Sequence, residues 1–323
     1  MLRYPYIVSL KVLQNVEFIT IGYKPGICVW QMQGKRKRER SDSVLRHAKR
    51  FKNRFGKLDK RLEALEALVG MDDVKKQVMG QLKFLLCNDG KTDDHYLNCV
   101  LTGDPGCGKT SLAKVLFKLW SSLSVFSEGV GFNILSRSHL CAQYMGQTAA
   151  KTRKALYKHK GGCILIDEAY SLINGDNDSY GLEALTELNS FISENPDTVV
   201  IIAGYKAEMQ KLFDAQPGLS RRFSWRFHIE KYSPEQIFDI FKIQLAKFSW
   251  RVEESAVELF RKKDFKYSGG DTENLGLRAK ISYAERNWMH GGDKLLLFSD
   301  IEKAMEQHFK KDNKDSSIKN MYL

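Results

Sequence analysis

This sequence has no C-x-x-C motif and no long apolar run. Its 323 residues include six cysteines, none in a C-x-x-C pair, which argues against a zinc site and a secreted disulfide framework. No apolar run approaches the ~18 residues that cross a membrane, so we expect no membrane insertion. The run at the start of the chain is too short for a signal peptide, with a basic organellar presequence as the alternative. These absences predict an intracellular, cytoplasmic protein.

Acidic residues are scarce in the first 60 residues. This segment has 15 Lys and Arg against 4 Asp and Glu, so it carries +11 of the total charge of +12. The remaining residues are nearly neutral, and the basic character therefore belongs to an N-terminal appendage. The run from Lys35 to Arg40 (KRKRER) has four interpretations: a solvated linker, a nuclear localisation signal, a patch for nucleic acid or an acidic partner, or a membrane-surface contact.

The pattern along the chain predicts four segments and no internal repeat. Residues 1–34 have no assignable role, and residues 35–64 form a basic amphipathic helix or linker. Residues 65–230 alternate strand and helix patterns, which is typical of a parallel sheet with crossover helices. The predicted strands are YLNCVL, GFNIL, CILIDE, TVVIIAG and WRFHI. Residues 231–323 contain no convincing strand and open with a helix N-cap sequence at Ser233, so we predict an all-helical domain.

The sequence GDPGCGKT matches the phosphate-loop pattern G-x-x-x-x-G-K-[ST]. Its glycines allow several backbone N–H groups to point at one anion, where a helix begins. Lys109 can reach the β- and γ-phosphates, and the Thr110 hydroxyl can hold Mg²⁺. We therefore expect ATP and Mg²⁺ as cofactors. The residues assigned to nucleotide binding are Gly103, Asp104, Pro105, Gly106, Cys107, Gly108, Lys109, Thr110 and Ser111.

A later strand pattern, GGCILIDEAY, ends in two acids. Asp167 falls at the carboxyl end of the strand, where open α/β sheets bind their ligands, and it can hold Mg²⁺ beside Thr110. Glu168 comes next and is placed to orient or deprotonate a water that attacks the γ-phosphate. The two motifs together predict an ATPase, with Glu168 and Lys109 as catalytic residues.

The motifs and the sequence between them resemble the CbxX/CfxQ branch of the AAA+ ATPases, which includes the red-type Rubisco activases. The resemblance covers about residues 65–230 and includes SRSHLCAQYMGQTAAKTRKAL, YGLEALTEL, VVIIAGYKAEM and QPGLSRRF. It implies an α/β fold, with a P-loop core whose parallel sheet of about five strands is flanked by helices, then a small helical lid. It also implies a homo-oligomeric ring such as a hexamer. The segment LVGMDDVKKQV (68–78) resembles the one that lines the adenine pocket.

The resemblance assigns two further roles in the core. Arg222 falls where the family has its arginine finger, which reaches the γ-phosphate of a neighbouring subunit. The alternative is a surface arginine paired with a carboxylate, and Arg221 is a weaker candidate for the finger. Tyr144, Met145 and Gly146 resemble a pore loop, in which an aromatic side chain grips an extended chain. The alternative is a buried tyrosine.

The resemblance assigns the nucleotide-sensing residues less clearly than the roles above. Tyr205 occupies a position that is often a polar sensor, and either a water-orienting hydroxyl or a core role fits it. In the lid, the family pattern G-N-A-R is replaced by GGDTENLGLRAK, which resembles AAA proteins of large DNA viruses. Glu273 falls at the arginine position, and a glutamate cannot serve a phosphate in that way. Arg278 or Lys280 is the candidate substitute, with a solvated helix face as the alternative.

Three function classes follow from these features. The first is a ring-forming ATPase that remodels a protein or protein complex by threading it past pore loops. The second is a nucleic-acid-directed ATPase, a replication or packaging factor, with phosphate contacts through residues 35–60. The third is a scaffold that only binds nucleotide, which the intact Lys109, Asp167 and Glu168 argue against.

Overall fold

The computed structural model describes most of the chain beyond residue 57, and the predictions for residues 1–34 and the basic run lie outside it. All the described residues belong to the second of the two units into which the chain divides, Asn53–Leu323. They are residues 58–87, 97–175, 178–265, 267–288 and 292–319, with side chains described to residue 309. Residues 58–66 are helical, and Leu58 and Leu65 pack into the main core.

A five-stranded parallel sheet forms the centre of this unit, as predicted. Its strands lie in the order β2-β3-β4-β1-β5. The strands β3 and β4 are buried along their whole length, which explains their continuous runs of Val, Ile and Leu. Their bounds are β1 Cys99–Gly103, β2 Phe132–Leu135, β3 Cys163–Ile166, β4 Val199–Gly204 and β5 Trp225–Ile229.

Among the described residues, β1 begins at Cys99, two residues after Leu97 of the predicted apolar run. Asn98, inside that pattern, uses its buried side chain as a bridge between segments. Its Oδ1 accepts from the Val200 amide at 2.7 Å, and its Nδ2 donates to the Arg222 carbonyl at 3.1 Å. Its backbone carbonyl also accepts from the Trp225 amide at 3.4 Å, so Asn98 ties the segment before β1 to β4, to Arg222 and to β5.

Helices cover both faces of the sheet. Alternate residues of β4 pack into two separate core clusters, Ile201 with Trp120 and Ile202 with Phe191. Among the described residues, no helix has the length and apolar character needed to cross a membrane. The helices of the core are α1 Asp72–Cys87, α2 Lys109–Ser122, α3 Arg137–Leu140, α4 Thr148–Tyr157, α5 Ser179–Glu194, α6 Lys206–Ala215 and α7 Pro217–Ser220.

The C-terminal part is helical, as predicted, and it begins with the predicted capping box. The Ser233 Oγ accepts from the Gln236 amide at 3.3 Å, and the Gln236 Oε1 accepts from the Ser233 amide at 2.9 Å. Its helices are α8 Pro234–Ala246, α9 Val257–Arg261, α10 Gly269–Asn287 and α11 Phe298–Lys319. It also contains a parallel pair, β6 Arg251–Val252 with β7 Leu295–Leu296, which is too short for a periodic pattern to predict.

Candidate active site

The phosphate loop joins β1 to α2, and two glycines in it have left-handed backbones. Gly108 is the N-cap of α2 with a φ of 93°. Gly106 has a φ of +72°, and a Cβ there would overlap the Tyr267 carbonyl oxygen. Glycine is therefore required at position 106 both by the conformation of the loop and by the approach of the lid.

The Lys109 ammonium lies across the phosphate loop. Its Nζ donates to the Gly103 and Asp104 carbonyl oxygens at 2.9 and 2.8 Å, and it lies 5.1 Å from the centre of the Tyr205 ring. The Cys107 Sγ is 3.8 Å away. Burial raises the pKa of the Cys107 thiol, although the nearby ammonium acts in the opposite direction. The loop therefore presents a neutral thiol and one cation that two loop carbonyls hold.

The predicted metal ligands are in direct contact. The Thr110 hydroxyl donates to the Asp167 Oδ2 at 2.9 Å, and the Asp167 Oδ1 accepts from the Glu168 amide at 3.0 Å. Hydroxyl and carboxylate oxygens are the ligands that Mg²⁺ prefers, so this pair fits the predicted ion. Glu168 is exposed and has a φ of 50°, a left-handed conformation that costs a residue with a side chain about 1–2 kcal/mol. The strained turn directs the chain out of β3 directly after Asp167.

A cleft of about 690 Å³ connects these groups to the lid, a volume within the range of small-molecule sites. Seven of the nine assigned nucleotide-binding residues, Pro105 to Ser111, line it together with Asp167 and Glu168. Gly103 and Asp104 are not in its wall, and their carbonyls bind Lys109 instead. The remaining lining includes apolar side chains of residues 67–71 and of α8. Charged and apolar walls in one cleft fit a nucleoside triphosphate.

Two direct contacts attach the lid side of the cleft to the phosphate loop. The buried Tyr232 hydroxyl donates to the Cys107 carbonyl at 2.7 Å, and the Gly269 amide donates to the Gly106 carbonyl at 3.2 Å. Burial raises the pKa of Tyr232 well above its usual value, so it remains a neutral donor. No local sequence motif identifies Tyr232, because its partner lies 125 residues away.

Tyr205 lies in the wall of the cleft, stacked on a second tyrosine. Its ring centre is 4.9 Å from that of Tyr170, which also lines the cleft and which the motifs did not single out. Desolvation, followed by a hydrogen bond with Tyr205, raises the pKa of Tyr170 well above its ordinary value. The sensor role of Tyr205 stays a prediction.

Arg222 is held within its own chain. Its Nε donates to the Ser193 Oγ at 2.7 Å, and its Nη1 donates to the Gly218 carbonyl at 2.7 Å. The predicted alternative, a pairing with a carboxylate, is not found among the described residues. Arg221 is exposed, and its side chain forms no hydrogen bond or ion pair with the described part of the chain.

The lid candidates for nucleotide sensing lie apart from the cleft wall. Arg278 is half-buried on α10 and does not line the cleft, so its sensor role stays a prediction. The Lys280 ammonium lies 4.8 Å from the centre of the Phe248 ring. Glu273, at the position of the family arginine, does line the cleft.

The predicted pore loop is exposed. Tyr144 is 67% and Met145 is 79% accessible, in the segment between α3 and α4, and Gly146 has a φ of 77°. The alternative of a buried tyrosine is therefore wrong. The predicted grip on a substrate stays a prediction.

Comparisons with known proteins show which proteins this chain is similar to. Residues 99–231 match the model of the ATPase family associated with various cellular activities (AAA). The chain is 31% identical over 285 residues to the putative cfxQ-like protein R730 of Acanthamoeba polyphaga mimivirus, covering 83% of this chain and 70% of that protein. It is 32% identical over 221 residues to the chloroplastic ribulose bisphosphate carboxylase/oxygenase activase of Cyanidioschyzon merolae, covering 65% and 71%.

A solved structure shares the fold. The FIGL-1 AAA domain in complex with ADP superposes with a TM-score of 0.54 at 20% identity, covering 73% of this chain and 81% of that one. At this identity the likeness concerns the fold alone.

Proposed function

This chain belongs to the CbxX/CfxQ branch of the AAA ATPases and is an ATPase, and we propose that it forms a ring that remodels a protein substrate. The observation that carries the remodelling part is the exposed pair Tyr144 and Met145. Two neighbouring large apolar side chains in solvent are costly for a free surface and useful for gripping an extended chain.

The residues of the cleft suit ATP with Mg²⁺. Bound ATP supplies the phosphoanhydride bond that is hydrolysed. Lys109 neutralises phosphate charge once it leaves the loop carbonyls, and Thr110 with Asp167 would hold the Mg²⁺. Glu168, which follows Asp167 on an exposed turn, accepts the proton of the attacking water. The backbone amides at the start of α2 face the phosphates.

Arg222 completes the site of a neighbouring subunit in this proposal. A guanidinium has five N–H donors, and the contacts to Ser193 and Gly218 use two of its nitrogens. The remaining donors are free to stabilise charge on the γ-phosphate in trans. The two contacts therefore act as supports that orient the finger before assembly.

A subunit-mixing experiment tests the ring. Arg222→Ala and Glu168→Gln proteins should each lose hydrolysis, while a one-to-one mixture should regain part of it. In random rings about a quarter of the interfaces combine an intact Glu168 with an intact Arg222 from the neighbour. A chain with both substitutions is the control, because mixing it with Glu168→Gln creates no complete interface. A protein that stays monomeric with ATP, ADP and no nucleotide, by gel filtration with light scattering, contradicts the ring.

The substrate class is tested by stimulation of the ATPase. The rate is measured with a permanently unfolded carboxymethylated protein, with DNA and with RNA as probes. Stimulation by the unfolded protein in wild type and its loss in Tyr144→Ala are expected. Equal stimulation of both proteins contradicts the pore-loop role. Stimulation by DNA or RNA alone, lost as salt rises, favours the nucleic-acid alternative through residues 35–60, which lie almost wholly outside the described chain.

A further inference from the structure

A turn of the lid, from Tyr267 to Gly270, presses against the phosphate loop. The Tyr267 carbonyl oxygen lies so close to Gly106 that no Cβ fits there. The Gly269 amide donates to the Gly106 carbonyl at 3.2 Å. Gly106, Gly269 and Gly270 all line the cleft. The turn therefore forms part of the cleft wall and holds the phosphate loop from the lid side.

The backbone of this turn has an unfavourable conformation. The buried Ser268 has a φ of 40° and a ψ of −106°, which residues with a side chain rarely adopt. Such a conformation persists only where the surrounding contacts impose it. Two of these contacts are backbone hydrogen bonds, from the Gly270 amide to the Tyr267 carbonyl at 2.9 Å and from the Thr272 amide to the Ser268 carbonyl at 3.1 Å.

Asp271, in the first turn of α10, closes the same turn with its side chain. Its Oδ2 accepts from the Tyr267 amide at 2.7 Å. Its Oδ1 lies 3.7 Å from the His308 Nε2 on α11. The carboxylate is buried and is not part of the cleft wall, so it reaches the phosphate loop only through the turn. Asp271 thus fixes Tyr267, whose carbonyl packs on Gly106.

We propose that Asp271 is a positioning residue for nucleotide binding, because its carboxylate shapes the lid turn that holds the phosphate loop before a nucleotide arrives. A loop that is already held in one conformation loses less conformational freedom when it binds a ligand, so its affinity is higher. The inference goes beyond the proposed ring and rests only on nucleotide binding in the cleft.

Two substitutions separate the acceptor from the charge. Asp271→Ala removes both, whereas Asp271→Asn keeps an oxygen that can accept from the Tyr267 amide. Asp300→Ala is the matched control, because Asp300 is another buried lid carboxylate that accepts from a backbone amide, that of Leu297 at 3.0 Å, and pairs with Arg286. Each full-length variant is compared with wild type by calorimetry with ADP and Mg²⁺, by KM and kcat for ATP, and by thermal melting.

Asp271→Ala should weaken ADP binding about tenfold and raise KM for ATP by a similar factor, the loss expected for one hydrogen bond. Its kcat should stay within about twofold of wild type, since the loop is held equally in the ground state and the transition state. Asp271→Asn should bind ADP within about threefold of wild type. Asp300→Ala should lower Tm and leave ADP affinity within about threefold.

An Asp271→Ala protein that binds ADP as tightly as wild type, or tighter, would overturn the proposal. An equal loss of ADP affinity in Asp300→Ala would also overturn it, because the effect would then reflect general damage to the lid. No recovery in Asp271→Asn would assign the effect to the charge beside His308 instead of the turn. If Asp271→Ala does not fold, Asp271→Glu replaces it, since it keeps the charge and displaces the oxygen, and it should bind ADP more weakly than Asp271→Asn. Failure of wild type to bind ADP would refute the nucleotide site itself, whereas the state of assembly does not affect this test.

Discussion

The segment after Asp167 and Glu168 is anchored by one ion pair, and breaking it should destabilise the protein. The Arg137 Nη1 lies 2.5 Å from the Asp178 Oδ2. The same nitrogen donates to the carbonyls of Ser171 and Leu172, at the end of the turn that follows Glu168, at 2.8 and 2.9 Å. Asp178 thus fixes the arginine that holds this turn in place.

Asp178 has a second role as the N-cap of α5. Its Oδ1 accepts from the Gly181 amide at 3.0 Å, and its Oδ2 accepts from the Asn174 amide at 3.0 Å. The carboxylate side chain is 5% exposed, while Arg137 is 29% exposed. Asp178→Ala should cost about 1 kcal/mol for the cap and about 1.5–3 kcal/mol for the charged hydrogen bond, or roughly 3 kcal/mol together.

Thermal melting measures this loss. At about 2–4 °C per kcal/mol for a domain of this size, Asp178→Ala should lower Tm by roughly 6–12 °C. Asp239→Ala is the control, since Asp239 is exposed and its bridge to Lys242 is worth less than about 1 kcal/mol. A loss no larger than that of the control would refute the anchoring role.

The pH dependence has a defined sign. The hydrogen bond with Arg137, ahead of the opposing effect of burial, lowers the pKa of Asp178 in the folded state. A lowered folded pKa gives stability that is full above the unfolded value of about 3.9 and is lost as pH falls through the folded value. The difference between wild type and Asp178→Ala should therefore be constant from neutral pH to about pH 5 and shrink below about pH 4. A difference that disappears near neutral pH would show that another group is responsible.

Two further substitutions test the pore loop and the phosphate loop. Tyr144→Ala should shift Tm by less than about 2 °C and leave basal ATPase intact, because the side chain is exposed. Phe223→Ala, at 1% exposure, is the contrast and should cost about 3–5 kcal/mol; equal losses would place Tyr144 in the core. Gly106→Ala should weaken ADP binding at least about tenfold, since the new Cβ overlaps the Tyr267 carbonyl and strains the backbone. Unchanged ADP affinity in calorimetry would contradict the fixed contact between lid and loop.

The sequence predicted the parts of the fold that a local pattern encodes. The buried runs of β3 and β4 identify themselves by continuous Val, Ile and Leu, and the glycines of the phosphate loop identify the turn before α2. The contact between Thr110 and Asp167 also followed from two motifs, because parallel strands end at the same edge of the sheet. In each case a repeated or fixed spacing carried the information.

Single side chains that connect distant segments were not predictable in this way. Tyr232 binds the Cys107 carbonyl, and Gln244 binds the Gly269 carbonyl 25 residues away. Such contacts depend on how the lid packs on the core, and no periodicity of the chain reports that packing. Asn98 is a further example, because its side chain joins the segment before β1 to Val200 and Arg222.

The charges in the cleft wall favour a site that is completed from outside the chain. Two lysines, Lys109 and Lys247, line it against three carboxylates, Asp167, Glu168 and Glu273. A bound triphosphate adds further negative charge. The positive ends of the backbone dipoles in the loop attract the phosphates, whereas the acids around the loop repel them. Asp167 would hold Mg²⁺, whose charge would offset part of this repulsion, and a cation from a neighbouring subunit in the proposed ring would offset more. In the proposed ring, the glutamate at the position of the lid arginine should therefore make hydrolysis more dependent on Arg222 of a neighbouring subunit.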